Sequence, residues 1–156
     1  MSISEFMSED RIAVDLQAED KTAAITEMME ILARSELVAD KDQALHAILE
    51  REKTMSTGIG HGVAIPHGKS NGVKGLVAAL GISKKGIPFE SIDQQPVHIL
   101  VLMAAPMGPA GPHIKALSRI SRVLNLEEAR EKLRTIDNAA DALNVFLDAE
   151  KDLPNP

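Results

Sequence analysis

A chain of 156 residues, 44% hydrophobic but only 2% aromatic, fits one domain with an aliphatic core in which Phe6, Phe89 and Phe146 are the only phenyl rings. A formal charge of -6, no Trp or Tyr and no Lys/Arg cluster exclude a nucleic-acid binder and suit a basic docking partner. The absence of Cys rules out thiol catalysis and disulfides; Met1 to Asp10 lacks a signal-peptide pattern and no run is long enough to span a bilayer, so a cytoplasmic protein is expected.

Alternation of Ile12, Val14 and Leu16 with Ala13 and Asp15 predicts a short opening strand. From Asp20, a plausible N-cap, the spacing of Ala24, Ile25, Met28, Ile31 and Leu32 predicts a helix to about Arg34. A second helix is capped by Asp40 or Asp42, carries the stripe Ala44, Leu45, Ile48 and Leu49, and has Arg51 in its last turn, where a cation suits the helix dipole. The segment Ser56 to Gly62 then places Gly58, Gly60 and Gly62 within five positions and reads as a loop that can approach a ligand closely. Val63 to Ile65 reads as a buried strand broken by Pro66-His67-Gly68, which puts His67 just past a strand end.

Two continuous apolar runs, Gly75 to Ile82 and Val97 to Ala105, are expected as neighbouring central strands covered on both faces. A turn at Ser83 to Gly86 would make them antiparallel, with Ile87 to Pro96 irregular and Phe89 tucked beneath it. A loop punctuated by Pro106, Gly108, Pro109, Gly111 and Pro112 leads into a helix with His113 in its first turn and Leu117, Ile120 and Leu124 on its apolar face. Leu126 to Leu133 and Asn138 to Leu147 predict two more helices. The expectation is a single α/β domain over residues 1–150, a mixed, mostly parallel sheet flanked by helices, with 151–156 a frayed tail. Ligands in such sheets bind outside strand ends, where His61, His67 and His113 can meet.

His67, between a rigid Pro66 and a small Gly68, has the openness a nucleophile needs, and a neutral imidazole can take a phosphoryl group and give it up again; the tripeptide equally admits a hydrogen-bonded structural histidine. His113 at a helix start is biased toward the neutral form and can offer an N–H to a phosphoryl oxygen, or simply cap the helix. Arg51 can present a fork of donors to phosphate, or be an ordinary helix-terminal charge. The glycine segment lacks the Gly-Lys-Ser/Thr of a phosphate-binding loop, and its third glycine is not at the position a dinucleotide fingerprint requires, so neither ATP nor NAD is expected. His61 and His67 lack helical metal spacing, which disfavours a zinc hydrolase; His46 and His98 read as structural or surface residues.

The string from Arg51 through Ser56-Thr57-Gly58-Ile59-Gly60-His61-Gly62 and Ile65-Pro66-His67-Gly68 to Lys69 resembles the fructose/mannitol-type enzyme IIA of the bacterial phosphoenolpyruvate:sugar phosphotransferase system, in particular its free-standing nitrogen-regulatory members. Pro112-His113-Ile114-Lys115-Ala116-Leu117 and Asp93-Gln94-Gln95-Pro96-Val97 extend the likeness over nearly the whole chain. The resemblance implies that His67 is the phosphorylated residue, that His113 and Arg51 help to hold the phosphoryl group, and that Thr57, Gly58, Gly60 and His61 support the pocket. It also implies a phosphotransferase component that needs no cofactor or metal. Its donor would be HPr or a nitrogen-branch HPr-like protein, and its acceptor a IIB protein in sugar uptake or a set of regulated targets. An apolar docking rim near Met107 is expected around His67.

Overall fold

The computed structural model describes residues 2–153. In chain order the elements are β1 (Ile12–Ala13), α1 (Lys21–Leu32), α2 (Lys41–Thr54), β2 (Gly58–Gly60), β3 (Val63–Ala64), β4 (His67–Lys69), β5 (Val77–Ile87), β6 (Val97–Ala105), α3 (Gly111–Leu124), α4 (Glu127–Arg134) and α5 (Ala139–Lys151). Three of the helices start as capping chemistry dictates: the side chains of Asp20, Asp40 and Asn138 accept from the backbone N–H of Ala23, Gln43 and Asp141.

The strands form one sheet in the order β1-β5-β6-β3-β2, and β4 also pairs with β6. The β1/β5, β3/β6 and β4/β6 pairings are parallel; β5/β6 and β2/β3 are antiparallel. The sheet is thus mixed and mostly parallel, as expected. The pleat of β6 divides the core: Ile99, Val101 and Met103 face one way, toward Phe6, Ile120 and Phe146, while Leu100, Leu102 and Ala104 face the other, toward Ile25, Met28 and Phe89. Helices α1 and α2 cover the second face and α3 to α5 the first, which is why this strand is apolar at nearly every position.

Several local expectations are corrected. The opening strand is only two residues long, because the chain bends at Val14 and Asp15 after pairing Ala13 with Gly81. Ser83 to Gly86 is not a turn but a bulge inside β5: Gly86 adopts φ +89°, its N–H is held by Ser83 Oγ at 3.1 Å, and pairing resumes at Ile87 opposite Val97. The reversal into β6 therefore lies after Ile87. The glycine segment is not all loop either, since Gly58–Gly60 pairs with β3 through a two-residue turn at His61 (φ 58°) and Gly62 (φ 77°). His67 lies just past the end of β3, as expected, but it also opens β4, because Pro66 surrenders only an N–H while its carbonyl still accepts from Met103 N at 3.0 Å.

Residues before β1 also join the core, with Ile3, Phe6 and Met7 buried and Ala78 N donating to Phe6 O at 2.8 Å. At the other end Lys151 closes α5 and Leu153 packs against the core; Pro154, Asn155 and Pro156, part of the expected tail, lie outside the described residues.

Candidate functional site

The site is built where β4, the end of α2 and the start of α3 converge. Pairing of His67 with Met103 sets the register of β4, and Gly68 lets α2 approach: a Cβ there would lie 3.1 Å from Ile48 Cγ1. That contact brings the last turn of α2, with Arg51, beside His67. On the opposite side α3 begins with Gly111 and Pro112, and the ring of His113 stands 5.4 Å from that of His67, tilted by 48°.

His67 is half-buried, and its Nδ1 lies 2.7 Å from the Ile65 carbonyl oxygen. A carbonyl only accepts, so Nδ1 carries the proton and the free lone pair is on Nε2. Burial pushes the pKa of His67 below its ordinary value and the Arg51 charge adds to this, against an upward pull from the Ile65 bond and from Glu52. The ring is therefore neutral at neutral pH, the state in which nitrogen is a nucleophile.

His113 is 7% exposed, and its pKa falls to about 4, chiefly through burial and then through His67 and Lys69. Its Nδ1 is buried with no hydrogen-bond partner among the described residues. The guanidinium of Arg51 reaches Met55 O at 3.5 Å. Lys69, two residues along β4 and so on the same strand face as His67, donates to the Gly108 carbonyl and ties down the loop before α3. Lys69 is a cation of the site that the reading of the sequence did not single out. Around these groups Met55, Met107 and Ile114 are exposed by 68%, 58% and 60% and form an apolar fringe; Ile92, also exposed, lies in the loop before β6.

The other sequence candidates lie differently. Thr57 is buried against Glu52, to which its N–H and hydroxyl both donate. Gly58 packs on Ser91, where a Cβ would come within 2.3 Å of its Oγ. Gly60 and His61 sit at the far end of the β2–β3 hairpin: His61 donates its N–H to Asp93 and accepts from Arg134 at 2.7 Å. Since Val63 pairs with Ile99 and His67 with Met103, the hairpin turn is about 13 Å or more from His67 along β6, at about 3.3 Å per residue. The structure therefore brings His67, His113 and Arg51 together and leaves His61 outside the group. His98 and its Nδ1 bond to Ser83 O belong to the β5 bulge. Among the described residues, no group of three or more His, Cys, Asp and Glu side chains is placed to hold a metal ion.

Comparison with known proteins gives a consistent result. The family described as "Phosphoenolpyruvate-dependent sugar phosphotransferase system, EIIA 2" matches residues 5–149. The chain is 39% identical over 133 residues to a "PTS system fructose-specific EIIABC component" of Bacillus subtilis, covering 85% of this chain but only 21% of that longer protein. It is 37% identical to a "PTS system fructose-specific EIIA component" of Haloferax volcanii, over 72% of this chain and 73% of the relative. With a "Nitrogen regulatory protein" of Bradyrhizobium diazoefficiens it shares 35% identity over 89% of this chain and 90% of the relative. Among solved structures, the nitrogen regulatory protein IIA-Ntr of Neisseria meningitidis superposes with a TM-score of 0.86 at 28% identity, over 92% of this chain and 98% of that one.

Proposed function

We propose, from the premise that the chain belongs to the EIIA 2 family of the phosphoenolpyruvate-dependent phosphotransferase system and is a phosphohistidine-carrying component of it, that Nε2 of His67 is the acceptor atom. The observation that carries this is the Nδ1–Ile65 contact, which leaves the Nε2 lone pair as the nucleophile on a neutral, partly open ring.

The lone pair attacks the phosphorus of a donor phosphohistidine in line; the Nε2–P bond forms as the donor N–P bond breaks, and the donor imidazole leaves with that electron pair. The proton stays on Nδ1 and is donated to the Ile65 carbonyl oxygen, whose partial negative charge stabilises the positive charge the ring acquires. Arg51 and Lys69 offset the phosphoryl charge, and His113 offers an N–H from a ring whose Nδ1 is otherwise unpaired. Second transfer is the reverse chemistry toward a new acceptor. The exposed Met55, Met107 and Ile114 supply an apolar rim on which donor and acceptor seat in turn.

The donor is HPr or an HPr-like protein of a nitrogen branch, and we favour a regulatory role, supported by the near full-length match to nitrogen regulatory proteins. The higher identity to fructose-specific EIIA sequences supports a second reading, a sugar-specific IIA that passes phosphate to a IIB protein; a IIA–IIB complex is known for the mannitol proteins of Escherichia coli, whose IIA shares the fold. No helix among the described residues is long and apolar enough to cross a membrane. We place the protein in the cytoplasm, with its donor.

The test is phosphoryl transfer in vitro with phosphoenolpyruvate, enzyme I and each candidate donor. Acid-labile label that disappears in His67→Ala supports the acceptor assignment, and donor preference separates the regulatory from the sugar reading. A folded wild-type chain left unlabelled by competent donors would refute it.

A further inference from the structure

Helix α2 buries Ala44, Ile48 and Glu52, three positions at spacings of four along one helix face. Two of them are ordinary core residues. The third is a carboxylate only 5% exposed, in a place where an apolar side chain would avoid the desolvation penalty of a buried charge. What Glu52 touches explains its presence. Its oxygens accept from Thr57 N at 2.7 and 3.1 Å and from the Thr57 hydroxyl, and Lys21 Nζ lies 3.3 Å away. Thr57 O in turn accepts from Ile65 N at 3.1 Å, and Ile65 O is the group 2.7 Å from Nδ1 of His67.

Ile65 lies in the gap between β3 and β4, outside the named strands on either side of it. Its amide is held by the Thr57 carbonyl, and the Thr57 segment is held by Glu52. A continuous polar path therefore runs from the buried carboxylate to the histidine ring.

We propose that Glu52 is a positioning residue for phosphoryl transfer: acting through Thr57 and Ile65, its carboxylate holds in place the carbonyl that keeps the proton of His67 on Nδ1 and the lone pair on Nε2. This rests on the reading of His67 as the acceptor. Lys21 balances the charge of Glu52 from α1 and is not itself part of the path to the ring.

The experiment compares wild type, Glu52→Gln, Thr57→Val and the double variant by two readouts. The first is the tautomer of His67 in ¹⁵N-labelled protein at pH 8, read by long-range ¹H–¹⁵N NMR with no donor present. The Nδ1–H form should dominate in wild type and give way to a mixture in both single variants. His98, whose Nδ1 bonds to Ser83 O at 2.8 Å in a separate part of the sheet, should keep its signal throughout and so reports that the fold is intact. The second is the rate of transfer from phosphorylated HPr-type donor, expected to fall about ten- to a hundredfold in each single variant. Because both substitutions weaken the same Glu52–Thr57 contact, Glu52→Gln by removing the charge on the acceptor and Thr57→Val by removing the hydroxyl donor, the double variant should be no slower than the slower single.

An unchanged His67 tautomer, a changed tautomer with wild-type transfer, or effects that multiply in the double variant each overturn the proposal. If Glu52→Gln fails to fold, Thr57→Val, the smaller change, decides by the same two readouts. A wild-type protein that takes no phosphate at all sinks the acceptor reading instead, because the tautomer comparison needs no donor.

Discussion

Acid should weaken this protein through one buried ring. The pKa of His113 is about 4 in the folded chain against an ordinary 6.5, so between these pH values the unfolded chain binds a proton that the folded chain refuses. The stabilisation is fully present above pH 6.5 and is lost as pH falls toward 4. At about 1.4 kcal/mol per pH unit the gap corresponds to about 3 kcal/mol, a large share of the 5–15 kcal/mol typical of a domain. His67, also shifted downward by burial and by Arg51, adds a loss of the same sign. Carboxylates titrate in part of this window too, so the informative quantity is a difference between proteins. Urea unfolding of wild type and His113→Gln, followed by circular dichroism at pH 7.5, 6, 5 and 4, isolates it. The stability of wild type relative to the variant should decline by about 3 kcal/mol from pH 7.5 to 4, or about 6–12 °C in relative melting temperature for a chain of this size. Parallel pH profiles for the two proteins would show that the ring is not held neutral by its surroundings.

Arg51→Lys keeps the charge beside His67 but not the planar fork, and should slow single-turnover phosphoryl transfer about tenfold or more; equal rates would mean that Arg51 acts only as a point charge. Gly81→Ala would place a Cβ 2.4 Å from Met28 Sδ and 2.7 Å from Leu16 Cδ1, and should lower unfolding stability by about 1–3 kcal/mol, read from the urea midpoint. Met107→Glu, at a 58% exposed position, should slow transfer from the donor about tenfold while changing stability by no more than about 0.5 kcal/mol; an unaltered rate would remove Met107 from the docking rim.

Much of the fold is legible in the sequence because the strongest signals are also the least local in meaning. The apolar runs around β5 and β6 state that both sheet faces are covered, and the caps Asp20, Asp40 and Asn138 mark where helices begin. His67, His113 and Arg51 stood out for their chemistry and do converge. Other features are hidden for identifiable reasons. Strand β4, His-Gly-Lys, has no hydrophobic pattern; it exists because β6 offers a free edge, and only once it is a strand does Lys69 share a face with His67. His61 looks adjacent to the site in sequence, but a hairpin turn with positive φ at His61 and Gly62 carries it toward the opposite end of β6. Glu52 gave one readable hint, a carboxylate at the helical spacing of Ala44 and Ile48, yet its role depends on contacts to Thr57 that no periodicity encodes.

The register of β6 also sets the order in which the site can come into being during synthesis. His67 pairs with Met103, 36 positions later, and faces His113, 46 positions later. At about 5–20 residues per second, ribosomes need about 2–9 s to travel from one histidine to the other. Throughout that interval the nascent chain carries an Ile-Pro-His-Gly segment with neither its strand partner nor its second ring, so the proposed acceptor lacks the neighbours that fix its surroundings in the folded chain. On the proposed assignment of His67 as acceptor, acceptance of phosphate becomes a property of the finished fold, and a growing or partly unfolded chain should be a poorer acceptor for the donor.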